Sequence, residues 1–406
     1  MKTPLIFAIA IYIASLFFSC KSNIDEPKPI DISLKSQELV RADNAFGIDI
    51  FKLLSEKEKE NFTISPLSIS LALAMTYNGA GGETKTAMEE ALRVKGFSTD
   101  EINQSYQSLV DALLAADDKV TLEIAQSIWY RKGFTVLPEF KKVNQTYYAA
   151  EVNDLDFNRS DAKDVINGWI ADKTHDKITD MIDAVDPLHV MFLVNAIYFN
   201  GEWKSMFVKS ATQQRDFMLE DGKVTLVDMM QKTDSVNYFS NDLFSAIEMP
   251  YGRGNYNMVV LLPGEGKTCS DISTVLTPEN WSTWMGSFKK TGDVSIWMPK
   301  FKAEYEVKLN DVLSVMGMGI AFTQLADFSG INGERGLYID YVQHNTFIDV
   351  NEKGTEAAAA TVIGIKNYAM PYSPEFHVDH PFLFAITEKE TGAILFIGKI
   401  VSPKYE

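Results

Sequence analysis

The sequence predicts an α+β fold, built as one large unit from about residue 36 to residue 406. Three observations carry that prediction. The first half is dominated by segments whose apolar residues recur at helical spacing. The second half is dominated by short apolar runs rich in β-branched and aromatic residues, as in strands. The last two runs, PFLFAI (381–386) and AILFIGKI (393–400), are joined by a short connection containing Gly392, as in a hairpin. Beyond residue 36 no linker, low-complexity tract or repeat breaks the chain. A unit of this size exceeds an ordinary single core, so two sheets sharing helices are expected.

At the N-terminus, Lys2 precedes an apolar run from Leu5 to Phe18. The run is too short to span a bilayer comfortably as a helix and fits the apolar region of a secretory signal. Ser19 followed by Cys20 resembles a bacterial lipoprotein cleavage box, although Phe17 and Phe18 are bulkier than usual for one. An ordinary signal peptide with an incidental cysteine is the alternative. The expectation is a signal over 1–19, a lipidated Cys20 anchoring the protein to a membrane, and a tether over 20–35 carrying Pro27 and Pro29. The protein is then exported, held at the outer membrane or cell surface, or otherwise periplasmic or secreted.

Helical spacing follows over 39–54. Residues 62–64 read as a strand, and Ser65-Pro66 opens an apolar helix, since proline suits a first turn. Helices are expected at 84–92, 99–116 and 162–174, with a strand at 120–130 between the last two. The run HVMFLVNAIYFNGEW (189–203) reads as a strand buried on both faces. NMVVLLP, VSIWMPKF and TFIDVNE are further strands.

Composition excludes several functions. The 38 basic against 55 acidic residues give a net charge of −17, which disfavours nucleic acid and anionic surfaces as partners. The only cysteines are Cys20 and Cys269, so with Cys20 lipidated or removed no internal disulfide forms. PGEGKT (263–268) ends like a phosphate loop, but the required first glycine is replaced by Leu261 within a strand. A Gly-x-Ser-x-Gly elbow is absent. His377 and His380 lack a nearby third metal ligand. The expectation is no metal, no cofactor and no enzymatic activity.

One segment is unexplained by these tests: VNEKGTEAAAATVIGIKNYAMPY (350–372). With the period of a strand, Thr355, Ala357, Ala359, Thr361, Ile363 and Ile365 share an uncharged face. Glu356 and Lys366 fall on the other. Small side chains at its start would let it slip between two strands, and Gly354 offers a permissive hinge. The alanines equally suit a helix capped by Thr355, and a plain loop is a third reading.

The same segment resembles, in NEKGTEAAAAT (351–361), the proximal hinge of a serpin reactive loop. FHVDHPFLFAI (376–386) is similar to the C-terminal signature of that family. NFTISPLSIS (61–70) resembles its early strand and helix, and LVNAIYFNGEW (193–203) its central-sheet strand ending in tryptophan. The four motifs occur in the family's order, over about residues 36–406. The resemblance implies a large central β-sheet, two smaller sheets, about nine helices and an exposed reactive-centre loop.

It further implies a monomeric suicide inhibitor that forms a covalent complex with serine proteases, with cysteine proteases as a further class. A non-inhibitory carrier is the alternative. The implied hinge is Gly354, Thr355, Glu356, Ala357, Ala358, Ala359, Ala360 and Thr361, small throughout apart from Glu356, as in inhibitory members. Counting seventeen residues from Glu352 places the reactive bond between Tyr368 and Ala369, suited to a chymotrypsin-like enzyme. The alternative bond joins Lys366 and Asn367. Ser65, Ser68, Asn195 and His344 match the family's shutter, beneath the point where strands part. Trp203, Lys300 and Glu352 match its breach, where insertion begins, with Lys300 and Glu352 expected as a surface ion pair.

Overall fold

The structure is a computed structural model describing residues 26–355 and 374–405. The expected signal, Cys20, the hinge from Glu356 to Thr361 and both candidate reactive bonds lie outside the described residues.

The N-terminal half runs α1 (Leu34–Lys57), β1 (Phe62–Ile64), α2 (Pro66–Tyr77), α3 (Gly82–Ala91), α4 (Thr99–Ala115), β2 (Val120–Arg131), α5 (Pro138–Tyr147), β3 (Glu151–Leu155) and α6 (Ala162–Lys173). Then come β4 (Met191–Glu202), β5 (Gln213–Met218), β6 (Val224–Ser240), β7 (Phe244–Pro250), β8 (Tyr256–Pro263), α7 (Cys269–Val275) and α8 (Pro278–Met285). The chain continues through β9 (Lys289–Pro299), β10 (Phe301–Lys308), α9 (Asn310–Val315), α10 (Ser329–Asn332), β11 (Gln343–Asn351) and β12 (Gly354–Thr355). It closes with β13 (Glu375–His377), β14 (Phe382–Glu388) and β15 (Ile394–Ile400).

The central sheet has six strands in the order β10-β11-β12-β4-β2-β3. A nine-stranded sheet holds the rest, and in it every residue of β8, β14 and β15 is buried. The resemblance implies two smaller sheets; here β6 joins them into one hydrogen-bonded run. Its first residues pair with β5, its last with β7, and its length with β9 across a register shift at Asp234/Val236. Helix α2 is apolar all round because it is enclosed: apart from Ala72 each of its residues is buried. Helix α4 starts on a reciprocal cap between Ser98 and Glu101.

Two expectations are corrected. Residues 294–301 form not one strand but two in different sheets. Pro299, with no N–H, ends β9; Lys300 donates its N–H to Asp228, and Phe301 opens β10 beside β11. The expected tether is also too long. The Asn255 side chain, fully buried, clamps the backbone of Lys28 with bonds of 2.9 and 2.7 Å, imitating a strand neighbour. Ile32 is buried and Ser33 caps α1, so the segment is docked from Lys28 on. Cys269, the first residue of α7, is buried, and burial pushes its thiol up to about 12, leaving it inert.

Candidate functional site: the parted centre of the six-stranded sheet

The site begins with the connection between β11 and β4. Among the described residues no ladder joins them directly; only the two residues of β12 lie between. Thr355 pairs with Val350 on one side and Gly201 on the other, and Gly354 with Asn351 and Glu202. Gly354 has φ +153°, and a Cβ there would collide with the Gly201 carbonyl oxygen. Glycine is therefore required by close approach as well as by conformation. Of the implied hinge, Gly354 and Thr355 are described, and both are seated in the sheet.

Below β12 the two strands stand apart around a cavity of about 420 Å³. Its walls include Leu193 and Asn195 of β4, His344 of β11, and Ser68 and Leu73 of α2. The first turn of α2 holds both strands from beneath. Ser65 caps the helix by accepting from the Ser68 N–H at 3.3 Å, which fixes both serines at its start. Ser68 Oγ then donates to Asn195 Oδ1 at 2.6 Å, and the Ser65 N–H donates to His344 Nε2 at 3.0 Å. The four residues matched to the shutter thus meet in space, two on the helix and one on each strand. Among the described residues, Asn195 Nδ2 is buried without a hydrogen-bond partner.

His344 is buried, and burial pushes its pKa down to about 3. As a neutral ring it accepts the Ser65 proton. Above pH 6.5 the ring is neutral in both folded and unfolded chains. As pH falls further, the unfolded chain takes up a proton that the folded chain refuses until about pH 3. Stability therefore declines through that window, by about 2 kcal/mol from this residue between pH 7 and pH 5. Urea unfolding at the two pH values checks this: in His344→Gln the pH-dependent loss should shrink by that amount.

At the upper end, Trp203 is packed flat on Tyr251, with ring centroids 4.3 Å apart and planes at 14°. Its indole N–H donates to the Asn351 carbonyl at 2.9 Å, tying the end of β4 to the end of β11. The Tyr251 hydroxyl shares a 2.8 Å hydrogen bond with Thr355 Oγ1. Lys300 Nζ lies 3.2 Å from Glu352 Oε2, and Thr212 donates to the other carboxylate oxygen at 2.8 Å. The residues matched to the breach therefore adjoin the seated hinge.

The Lys300–Glu352 pair is not the surface pair expected: Glu352 is buried and Lys300 half-buried, their side chains 9% and 13% exposed. The Tyr405 ring covers Lys300, its centroid 4.0 Å from Nζ. Burial pushes the Glu352 carboxyl up, but its backbone N–H, Thr212 and Lys300 outweigh it and hold the carboxyl below its ordinary range. Lys300→Ala strips one partner from a buried carboxylate and is expected to cost about 3 kcal/mol in urea unfolding. Sequence reading missed Tyr251, Thr212 and Tyr405. Each acts through a neighbour distant in the chain, and Tyr251 could have been found only from its place after a strand, ahead of a Gly-rich turn.

The comparisons agree with this geometry. The family model described as "Serpin (serine protease inhibitor)" matches residues 41–403. The leukocyte elastase inhibitor of Bos taurus is 36% identical, over 90% of this chain and 100% of its own. Among solved structures, the thermophilic serpin tengpin in the native state superposes with a TM-score of 0.83 at 32% identity, covering 93% of this chain and 97% of its own. Human thyroxine-binding globulin complexed with thyroxine gives a TM-score of 0.83 at 28% identity, covering 91% and 100%. With the central sheet, the seated hinge and a family match spanning most of its length, the chain belongs to the serpin family.

Proposed function

We propose that this chain is a suicide inhibitor of serine proteases, cut in the segment after Thr355 and inserting that segment between β4 and β11. The observation that carries the reading is the track itself, begun by β12 and otherwise unbridged by any ladder among the described residues. Continuing the register of Thr355 one pair at a time brings Thr361 level with Asn195 and His344. Ile365 then comes level with Met191 and Asp340. The small residues of the hinge fit this path: Ala358 would pass between Tyr198 and Phe347. Insertion after acylation drags the protease away and distorts its catalytic site before the ester is hydrolysed.

Cleavage between Tyr368 and Ala369 suits an enzyme with a deep apolar primary pocket. The test is incubation with chymotrypsin, read on a denaturing gel and by mass spectrometry. A covalent complex that survives denaturation, releasing a fragment that begins at Ala369, is expected. A fragment beginning at Asn367 would move the reactive bond to Lys366, and complete turnover without complex would reject the inhibitor reading.

A second reading, a non-inhibitory binding protein, is supported by the likeness to thyroxine-binding globulin. It expects cleavage without complex and without added heat stability. For location, the reading is a lipoprotein acylated on Cys20 and carried to the outer membrane or cell surface. Cys20→Ala should then release the protein from the membrane fraction.

A further inference from the structure

The lower end of the parted track is closed by side chains that neither the hinge nor the shutter uses. His189 stands just before β4, and Asp340 just before β11, on opposite sides of the opening. His189 Nε2 lies 3.1 Å from Asp340 Oδ2. The backbone N–H of Asp186 donates to His189 Nδ1 at 3.1 Å, so the proton at Nε2 points across the opening. On the other side, Asn310 Nδ2 donates to the Asp340 carbonyl at 2.8 Å, and Asn310 Oδ1 accepts from the Val342 N–H at 2.9 Å. Each half of the contact is thus braced on its own side of the opening, His189 by the turn leading into β4 and Asp340 by the first residue of α9. The rings of Phe192 and Tyr341 meet edge to face across the same opening, 6.2 Å between centroids. Lys308 and Asp183 form a more exposed pair alongside, at 3.1 Å.

We propose that the His189–Asp340 contact is a clasp that must open for the last step of loop insertion, and that it sets how fast a bound protease is trapped. The inference rests on the inhibitor reading above. On the register of β12, the strand reaching Ile365 comes level with Asp340, and two residues further on it comes level with His189. Its final residues therefore pass where the clasp now closes. An unopened clasp halts the strand a few residues short, with the protease still able to hydrolyse the ester. The clasp thereby divides molecules between trapping and turnover. It holds no reacting atom; its residues position the two strands.

Asp340→Ala tests this from the exposed side of the contact, where the side chain is 61% exposed and folding is least at risk. The loss of one hydrogen bond from the closed state should speed conversion to denaturation-resistant complex with chymotrypsin about five-fold. Fewer inhibitor molecules should then be consumed per protease trapped. His189→Glu, facing Asp340, should do the same by repulsion, and the double variant H189E/D340K, which re-forms a pair across the opening, should return both readouts toward wild type. The rate at which chymotrypsin first cuts the loop should stay constant throughout. Wild-type trapping rates and stoichiometry in both single variants, even with lowered melting points, would overturn the clasp alone. A wild-type chain that is cut but neither traps nor gains heat stability would overturn the clasp together with the inhibitor reading, since nothing then needs to pass.

Discussion

Under the proposed inhibitor reading, replacing Thr355 with arginine is expected to abolish covalent complex formation with chymotrypsin while the loop is still cut. Thr355 is 2% exposed, lies between Gly201 and Val350, and shares its hydroxyl hydrogen bond with Tyr251. Among the described residues, no acidic side chain is bonded to that hydroxyl. An arginine there either buries an unpaired charge, at a cost of several kcal/mol, or stays outside and holds the first residue of the strand out of the sheet. In both cases the proposed insertion should stall and the acyl-enzyme should be hydrolysed. A gel should show cleaved inhibitor in place of complex. Tyr251→Phe serves as the control, since it removes the hydroxyl but keeps the packing on Trp203, and it should retain most of the complex. Wild-type yields of complex from Thr355→Arg would refute the insertion mechanism.

The second large effect is thermal. A chain nicked in the loop is expected to melt well above the intact one. Adding a strand of about a dozen residues between β4 and β11 supplies roughly ten net backbone hydrogen bonds, on the order of 10 kcal/mol. For a unit of this size that corresponds to roughly 10–15 °C in melting midpoint. The intact state is then a kinetic trap, not the free-energy minimum. Circular dichroism on heating, before and after limited proteolysis, reads the shift directly. Nicked Thr355→Arg should lack it. A nicked wild-type chain melting no later than the intact one would leave the mechanism without a driving force.

What could be read in the sequence follows physical range. Local patterns were legible: the start of α2 at Ser65-Pro66, the largely buried run of β4, whose Met191 and Leu193 are only half-buried, and the hairpin of β14 and β15. Such elements need only periodicity and turn chemistry. The two-sheet split at Pro299 was not legible, because an unbroken apolar run does not say which neighbour each residue will bond. Strands β5, β6 and β7 were missed for a related reason. None carries the long apolar run that marks a buried strand: β5 opens on four polar residues and buries only Phe217, and β6 and β7 are interrupted by polar residues. The shutter and breach residues were named through family resemblance, and nothing in the sequence alone brings Ser68 to Asn195. The depth of the Lys300–Glu352 pair depended on Tyr405, over fifty residues from Glu352, folding back over it.

The pairing of Gly354 and Thr355 on both flanks has a consequence for fidelity. A strand entering a sheet from solution must pick an alignment before any bond repays the ordering of its chain. An error of one position would turn every side chain to the wrong face, placing Glu356 where Thr355 now meets Tyr251. Here the alignment of the first two residues is already set in the intact chain. On the inhibitor reading proposed above, growth would proceed from that fixed end in one direction, and a protease racing to complete hydrolysis would compete only with elongation, never with a search.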